Sequence, residues 1–140
     1  MTVRLLTRLP EACGVAEFRL ADPTKAQIRE ILARSEDEFG EQRRERYSAL
    51  FVKAMEDVAG DPEQALVEWK RLSRFDIGTY HISHSRKHVK DPPGRVRNPK
   101  HVLVFSIARD GVVDFIGILH ERMLRVRALR KIVQSYQDDL

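Results

Sequence analysis

HVLVFSIARDGVVDFIGILH, residues 101–120, decides the fold. Val102–Phe105 is a run of β-formers. Arg109-Asp110-Gly111 carries a tight-turn signal, because glycine adopts the left-handed backbone that a short hairpin turn needs. Val112–His120 is the returning strand. The stretch reads as an antiparallel hairpin at the centre of a sheet.

Working outward, Gly78–Ser83 alternates Tyr80 and Ile82 with His81 and Ser83, which predicts a third strand. Glu17–Ala21 alternates Phe18 and Leu20 and predicts a short first strand. Between them, Asp22 and Pro23 suit the start of a helix. Ile28, Ile31, Leu32 and Phe39 give that helix an apolar stripe, and Gly40 ends it. In Glu41–Ala59, Tyr47, Leu50, Phe51, Ala54, Met55 and Val58 share one helical face. Gly60–Pro62 stops it, and Glu63–Leu72 reads as a third, short helical piece carrying Trp69. In Glu121–Gln137, Val126, Leu129, Val133 and Tyr136 fall at helical spacing among Arg122, Arg125, Arg127, Arg130 and Lys131. This is a basic amphipathic helix. The expected class is α+β, in the order β-α-α-β-β-β-α: a small, mainly antiparallel sheet packed on a helical hairpin. The second face needs the C-terminal helix, a partner or water to cover it.

The chain of 140 residues suits one domain, and 42% hydrophobic with 33% charged residues is a globular balance. A net charge of +4 leans toward an anionic partner. Cys13 is the single cysteine, so no disulfide forms within the chain and a reducing cytoplasm is expected. The opening residues do not read as a signal peptide, because Arg8, Pro10 and Glu11 interrupt the apolar stretch. No apolar run approaches the ~20 residues of a membrane span.

The basic charge concentrates in HSRKHVKDPPGRVRNPK, residues 84–100. Arg86, Lys87, Lys90, Arg95, Arg97 and Lys100 oppose a lone acid, Asp91. Pro92, Pro93 and Pro99 restrict the chain, so its cations would lose little freedom on binding. A solvated connection is the alternative. Arg95 and Arg97 are the foremost docking candidates, because guanidinium grips carboxylate and phosphate bidentately.

Glu38–Gly40, Tyr47, Ala54, YHISHSR and NPKHVLVFSIARDGVVDFIGILHERM together resemble the RelE/ParE family of type II toxins. The resemblance runs from Glu17 to Met123. Its most specific piece is Leu119–Met123, which fits the family's Leu-His-x-Arg-Met ending. YHISHSR before a proline-rich loop is closer to the ParE side. The resemblance implies a small bacterial cytoplasmic toxin, held inactive by a cognate ParD-like antitoxin and needing no cofactor. ParE-type members poison DNA gyrase, whereas RelE-type members cleave mRNA on the ribosome. Gly117 stands where the ribonucleases carry an arginine, Phe105 where a tyrosine is common, and Leu124 where an aspartate often follows the methionine. Phenylalanine cannot exchange a proton. The reading is therefore a ParE-like gyrase poison. A RelE-like endonuclease and a non-toxic protein that binds only antitoxin or DNA are the alternatives.

RNA cleavage would need a base, an acid and cations at the phosphate. His81, His84 and His120 are the catalytic candidates, with His88 and His101 as further histidines. Arg86, Arg95, Arg97, Lys100 and Arg122 are the candidates for target or antitoxin binding. His120 is expected to bond a nearby carbonyl, Arg122 an acid on the helix pair, and Met123 to fill core. No metal site is expected: His81 and His84 would face opposite sides of a strand. Residues 1–16 read as an extension, disordered, with Val15 as an alternative start. Residues 17–123 form the toxin-like domain and 124–140 the basic helix.

Overall fold

The predicted hairpin stands at the middle of a sheet ordered β1-β2-β6-β5-β4-β3 in the computed structural model, which describes residues 2–8 and 15–140. Strands β5 (His101–Ile107) and β6 (Val113–His120) pair antiparallel. Gly111, at φ +83, supplies the left-handed turn residue. Strand β2 (Val15–Ala21) joins β6 in parallel, with Phe18–Leu20 beside Val113–Phe115. Helices α1 (Asp22–Phe39) and α2 (Glu41–Gly60) form the helical hairpin. The architecture is α+β and mainly antiparallel, as expected.

Several boundaries depart from the sequence reading. Thr2–Arg8, expected to lie in a disordered extension, forms strand β1 and pairs along the outer edge of β2. Cys13 lies outside the described residues. Glu68–Leu72, expected to be helical, is strand β3, paired with β4 (Phe75–His81). Its Trp69 stands opposite Gly78, and a side chain at Gly78 would collide with the Phe105 ring. Trp69 meets that ring edge-on, 5.4 Å between centroids, so pairing and ring packing decide a segment whose own period is weak. Strand β4 ends at His81, and Ile82–His88 turns into 3-10 helix. The C-terminal helix α3 spans Val126–Asp138, after a 3-10 turn at Glu121–Met123.

Two cores flank the sheet. Phe18, Phe51, Tyr80, Phe105 and Phe115 fill the space beneath the helical hairpin. On the other face, Ile77, Val104 and Ile116 meet Leu129, Val133 and Tyr136 of α3. The C-terminal helix is thus the cover that the second face needed. A bulge between Val104 and Phe105 leaves Gly117 opposite Val104. A side chain there would begin 2.7 Å from Ile132 of α3. Glycine is what lets the helix lie so close to the sheet.

Polar bonds fix the same helix. The Tyr136 hydroxyl donates to Asp114 at 2.6 Å, and Arg19 Nε donates to the other Asp114 oxygen at 2.7 Å. Arg19 also forks onto Asp110 at 2.8 and 2.9 Å. Asp114 is buried. Burial, followed by the bond to Asp114, pushes the Tyr136 hydroxyl far above its ordinary pKa. Tyr136→Phe removes one charge-assisted bond while Arg19 still serves Asp114. The expected cost is about 1.5–3 kcal/mol, read as a lower urea midpoint in equilibrium unfolding.

Candidate functional site

The basic loop is clamped to α2. Asp57 accepts from the Ser85 hydroxyl at 2.6 Å and contacts the His88 ring nitrogen at 2.7 Å. Tyr80 bonds Ser85 at 2.8 Å. Aspartate, serine and histidine here do not form a hydrolytic triad. Serine and histidine both bond the carboxylate rather than each other, so the imidazole is not placed to take the hydroxyl proton, and Ser85 is fully buried. Further along, Arg86 Nε donates to the Val96 carbonyl at 2.5 Å and Arg46 Nε to the Pro93 carbonyl at 2.9 Å. Val89, Val96 and Pro99 are buried.

These anchors sort the candidate cations. Arg86 is half-buried and bonded within the loop, so it is a structural strut. Lys100 is tied twice: its backbone N–H donates to the Tyr47 hydroxyl at 3.0 Å, and its ammonium lies 3.6 Å from Glu121. Arg95 and Arg97 are exposed, as are Lys87 and Lys90. Arg122 is exposed and, among the described residues, pairs with no acid on the helix pair, contrary to expectation. Met123, expected as core filler, is 51% exposed beside exposed Leu124 and Val126. The 3-10 turn at Glu121–Met123 carries it off the sheet.

The histidines gather at the neighbouring end of the sheet. His81 Nε2 meets Glu121 at 2.7 Å, and His81 Nδ1 accepts from the Ser83 N–H at 3.2 Å. Because the strand stops at His81, the His84 ring swings to 6.4 Å from it rather than facing away. His120 Nδ1 accepts from the Arg122 N–H at 3.2 Å, where a bond to a carbonyl was expected. Its ring lies 5.5 Å from that of His101. The Tyr47 hydroxyl accepts from Lys100 and lies 2.6 Å from His101 Nδ1, to which it donates when that nitrogen carries no proton. That bond requires a neutral His101. Burial, helped by the charges of His120 and His81, pushes its pKa down to about 4. The sequence places Tyr47 on the core face of α2 and in the family resemblance, but nothing local signals its bond to a ring 54 positions on. Among the described residues, no group of three or more histidine, cysteine or acidic side chains converges on a metal position.

A cavity of about 650 Å³ opens beside His101 and His120, between the α1–α2 corner and the end of β6. Arg34, Ser35, Phe39, Arg43 and Tyr47 are among its walls. Ser35 Oγ and Arg43 Nε are buried without a partner. Phe39, expected in the apolar stripe, is 62% exposed with the Arg43 guanidinium 4.7 Å from its centroid. Its charged walls are of both signs, with Glu30 and Glu38 beside Arg34 and Arg43.

The two positions that the sequence resemblance assigns to RNA cleavage are closed. Gly117 lies beneath Ile132, and Phe105 is fully buried against Trp69 and Phe115. Neither faces a surface that RNA could reach.

The family model described as the ParE toxin of the type II toxin-antitoxin system, parDE, matches residues 18–125. The chain belongs to this ParE toxin family. It is a type II toxin, and its family implies a cognate antitoxin partner. The match begins within β2 and ends one residue before α3. No curated protein matches the chain. No described helix of the toxin is long and apolar enough to cross a membrane.

The neutral His101 makes the toxin's stability depend on pH. Its folded pKa of about 4 lies below the ordinary 6.5, so the unfolded chain binds more protons between those values. The contribution is therefore full above pH 6.5 and is lost as pH falls toward 4. Its ceiling is about 3 kcal/mol, reduced by the part of the ring that water reaches. His84, lowered chiefly by burial, and Glu121, lowered chiefly by its bond to His81, act in the same direction. Urea midpoints should fall from pH 7.5 to 4.5, and His101→Gln should flatten that fall.

Proposed function

We propose that this ParE toxin stops growth in the bacterial cytoplasm by binding and poisoning DNA gyrase, and that a ParD-like antitoxin neutralises it. The observation that carries this reading is α3 seated on Gly117. The helix occupies the sheet face where an RNA-cleaving relative would present its arginine, and the accompanying aromatic position is sunk in the core. His81, His84 and His120 are engaged with Glu121, with neighbouring rings and with a backbone N–H. Arg95 and Arg97 are exposed on an anchored loop, which suits capture of a partner better than turnover.

In this reading Arg95 and Arg97 dock an acidic antitoxin segment. The clamps at Asp57, Val96 and Pro93 hold the loop in one arrangement, so little conformational entropy is lost on binding. Reversing both charges, Arg95→Glu with Arg97→Glu, should weaken antitoxin binding by at least tenfold at physiological salt in titration calorimetry. Unchanged affinity would remove the loop from the interface.

The target is tested with antitoxin-free toxin, DNA gyrase, ATP and closed circular DNA. Loss of supercoiling with trapped double-strand breaks is the expected result. Normal supercoiling by folded toxin, with mRNA fragments appearing only when ribosomes are present, would replace this mechanism with RNA cleavage. The histidines would then be the residues to substitute.

A further inference from the structure

The charges of α3 run opposite to what the helix itself favours. A helix is stabilised by acids near its N-terminus and bases near its C-terminus. Here Arg125 sits at the N-cap without a capping bond, Arg127 lies in the first turn, and the first turn holds no acid. The last turn holds no base, and Asp138 closes the helix. Arg127, Arg130 and Lys131 also lie at i, i+3 and i+4, where like charges repel. All are exposed, and among the described residues none has an ion pair. The nearby acid Glu121 is taken by His81 and Lys100.

Such a stripe is normally softened by interleaved acids, and here it is not. The helix beneath it is rigid, through Tyr136 on Asp114 and Ile132 on Gly117. Arg127, Arg130 and Lys131 form the outward stripe, and exposed Val126 adjoins it one turn before Arg130. A protein partner is gripped through buried apolar or aromatic anchors. A phosphate backbone needs only donors and positive charge. The exposed apolar residues Met123, Leu124 and Val126 precede the stripe. Asp138, bonded to Gln134 at 2.9 Å, sets its far limit.

We propose that the outer face of α3 is a nucleic-acid surface, with Arg127, Arg130 and Lys131 seated on the phosphates of duplex DNA without reading its sequence. The inference goes beyond the target reading and does not depend on it. DNA contact would bring the toxin to the duplex whatever protein it poisons there.

The test uses the full-length, antitoxin-free chain and a fluorescent duplex of mixed sequence, with no gyrase present, so failure of either reading leaves the other standing. Binding is followed by anisotropy from low to physiological salt. Each phosphate contact contributes about 0.9 to the slope of log affinity against log salt. The variant Arg127→Gln, Arg130→Gln, Lys131→Gln should lower that slope by roughly 2 to 3. It should melt no lower than the parent, because the repulsion is relieved. Arg95→Gln with Arg97→Gln should leave the slope unchanged. An unchanged slope in the α3 variant overturns the proposal, as does a slope lost only in the loop variant. Absence of DNA binding at low salt, together with weaker antitoxin binding by the α3 variant, would assign the stripe to a protein partner instead.

Discussion

Asp114 is a carboxylate taken almost wholly out of water, and an unpaired charge in that position would cost several kcal/mol. It is tolerable because Arg19 comes from the parallel strand on one side and Tyr136 from the C-terminal helix on another. The bonds therefore join elements that lie far apart in the chain. Withdrawing Tyr136 would leave one carboxylate oxygen without that donor, so α3 cannot drift from the sheet at small cost. The apolar contacts of Leu129 and Val133 supply area, while the carboxylate sets position along the strand.

Asp57 does for the basic loop what Asp114 does for the helix. It stands on α2 at the edge of the face that fills the main core, and it holds Ser85 and His88. Each cationic surface is thus keyed to a carboxylate on a central element. This makes both surfaces preformed: the core fixes where the charges stand, and the exposed side chains need only their own rotamers to meet a partner.

How much of this is legible in the sequence follows from the range of the interactions. The hairpin of β5 and β6 and helices α1 and α2 are written in local periodicity, and they stand as read. Strand β3 departs from the helical expectation because Glu63–Leu72 has no decisive period, and its conformation is set by Gly78 and Phe105 elsewhere in the chain. The basic loop was visible as charge and proline. That Arg86 braces it while Arg95 and Arg97 face out was not, since all three are arginines in one loop. Phe39 and Met123 were counted as apolar, and a count cannot say whether a turn will carry them outward. The cavity at Ser35 and Arg43 has no local signature, because its walls meet only when α1, α2 and β6 are folded together.

Gly117 shows how one residue joins fold and chemistry. An arginine there would need room where Ile132 stands, so the cationic strand position and the close-packed helix exclude one another. Moving α3 away would also withdraw Tyr136 from Asp114. An arginine at position 117 therefore could not be introduced by a single mutation without displacing α3. With the sheet face closed, positive charge is found on the outer side of the covering helix and on the clamped loop.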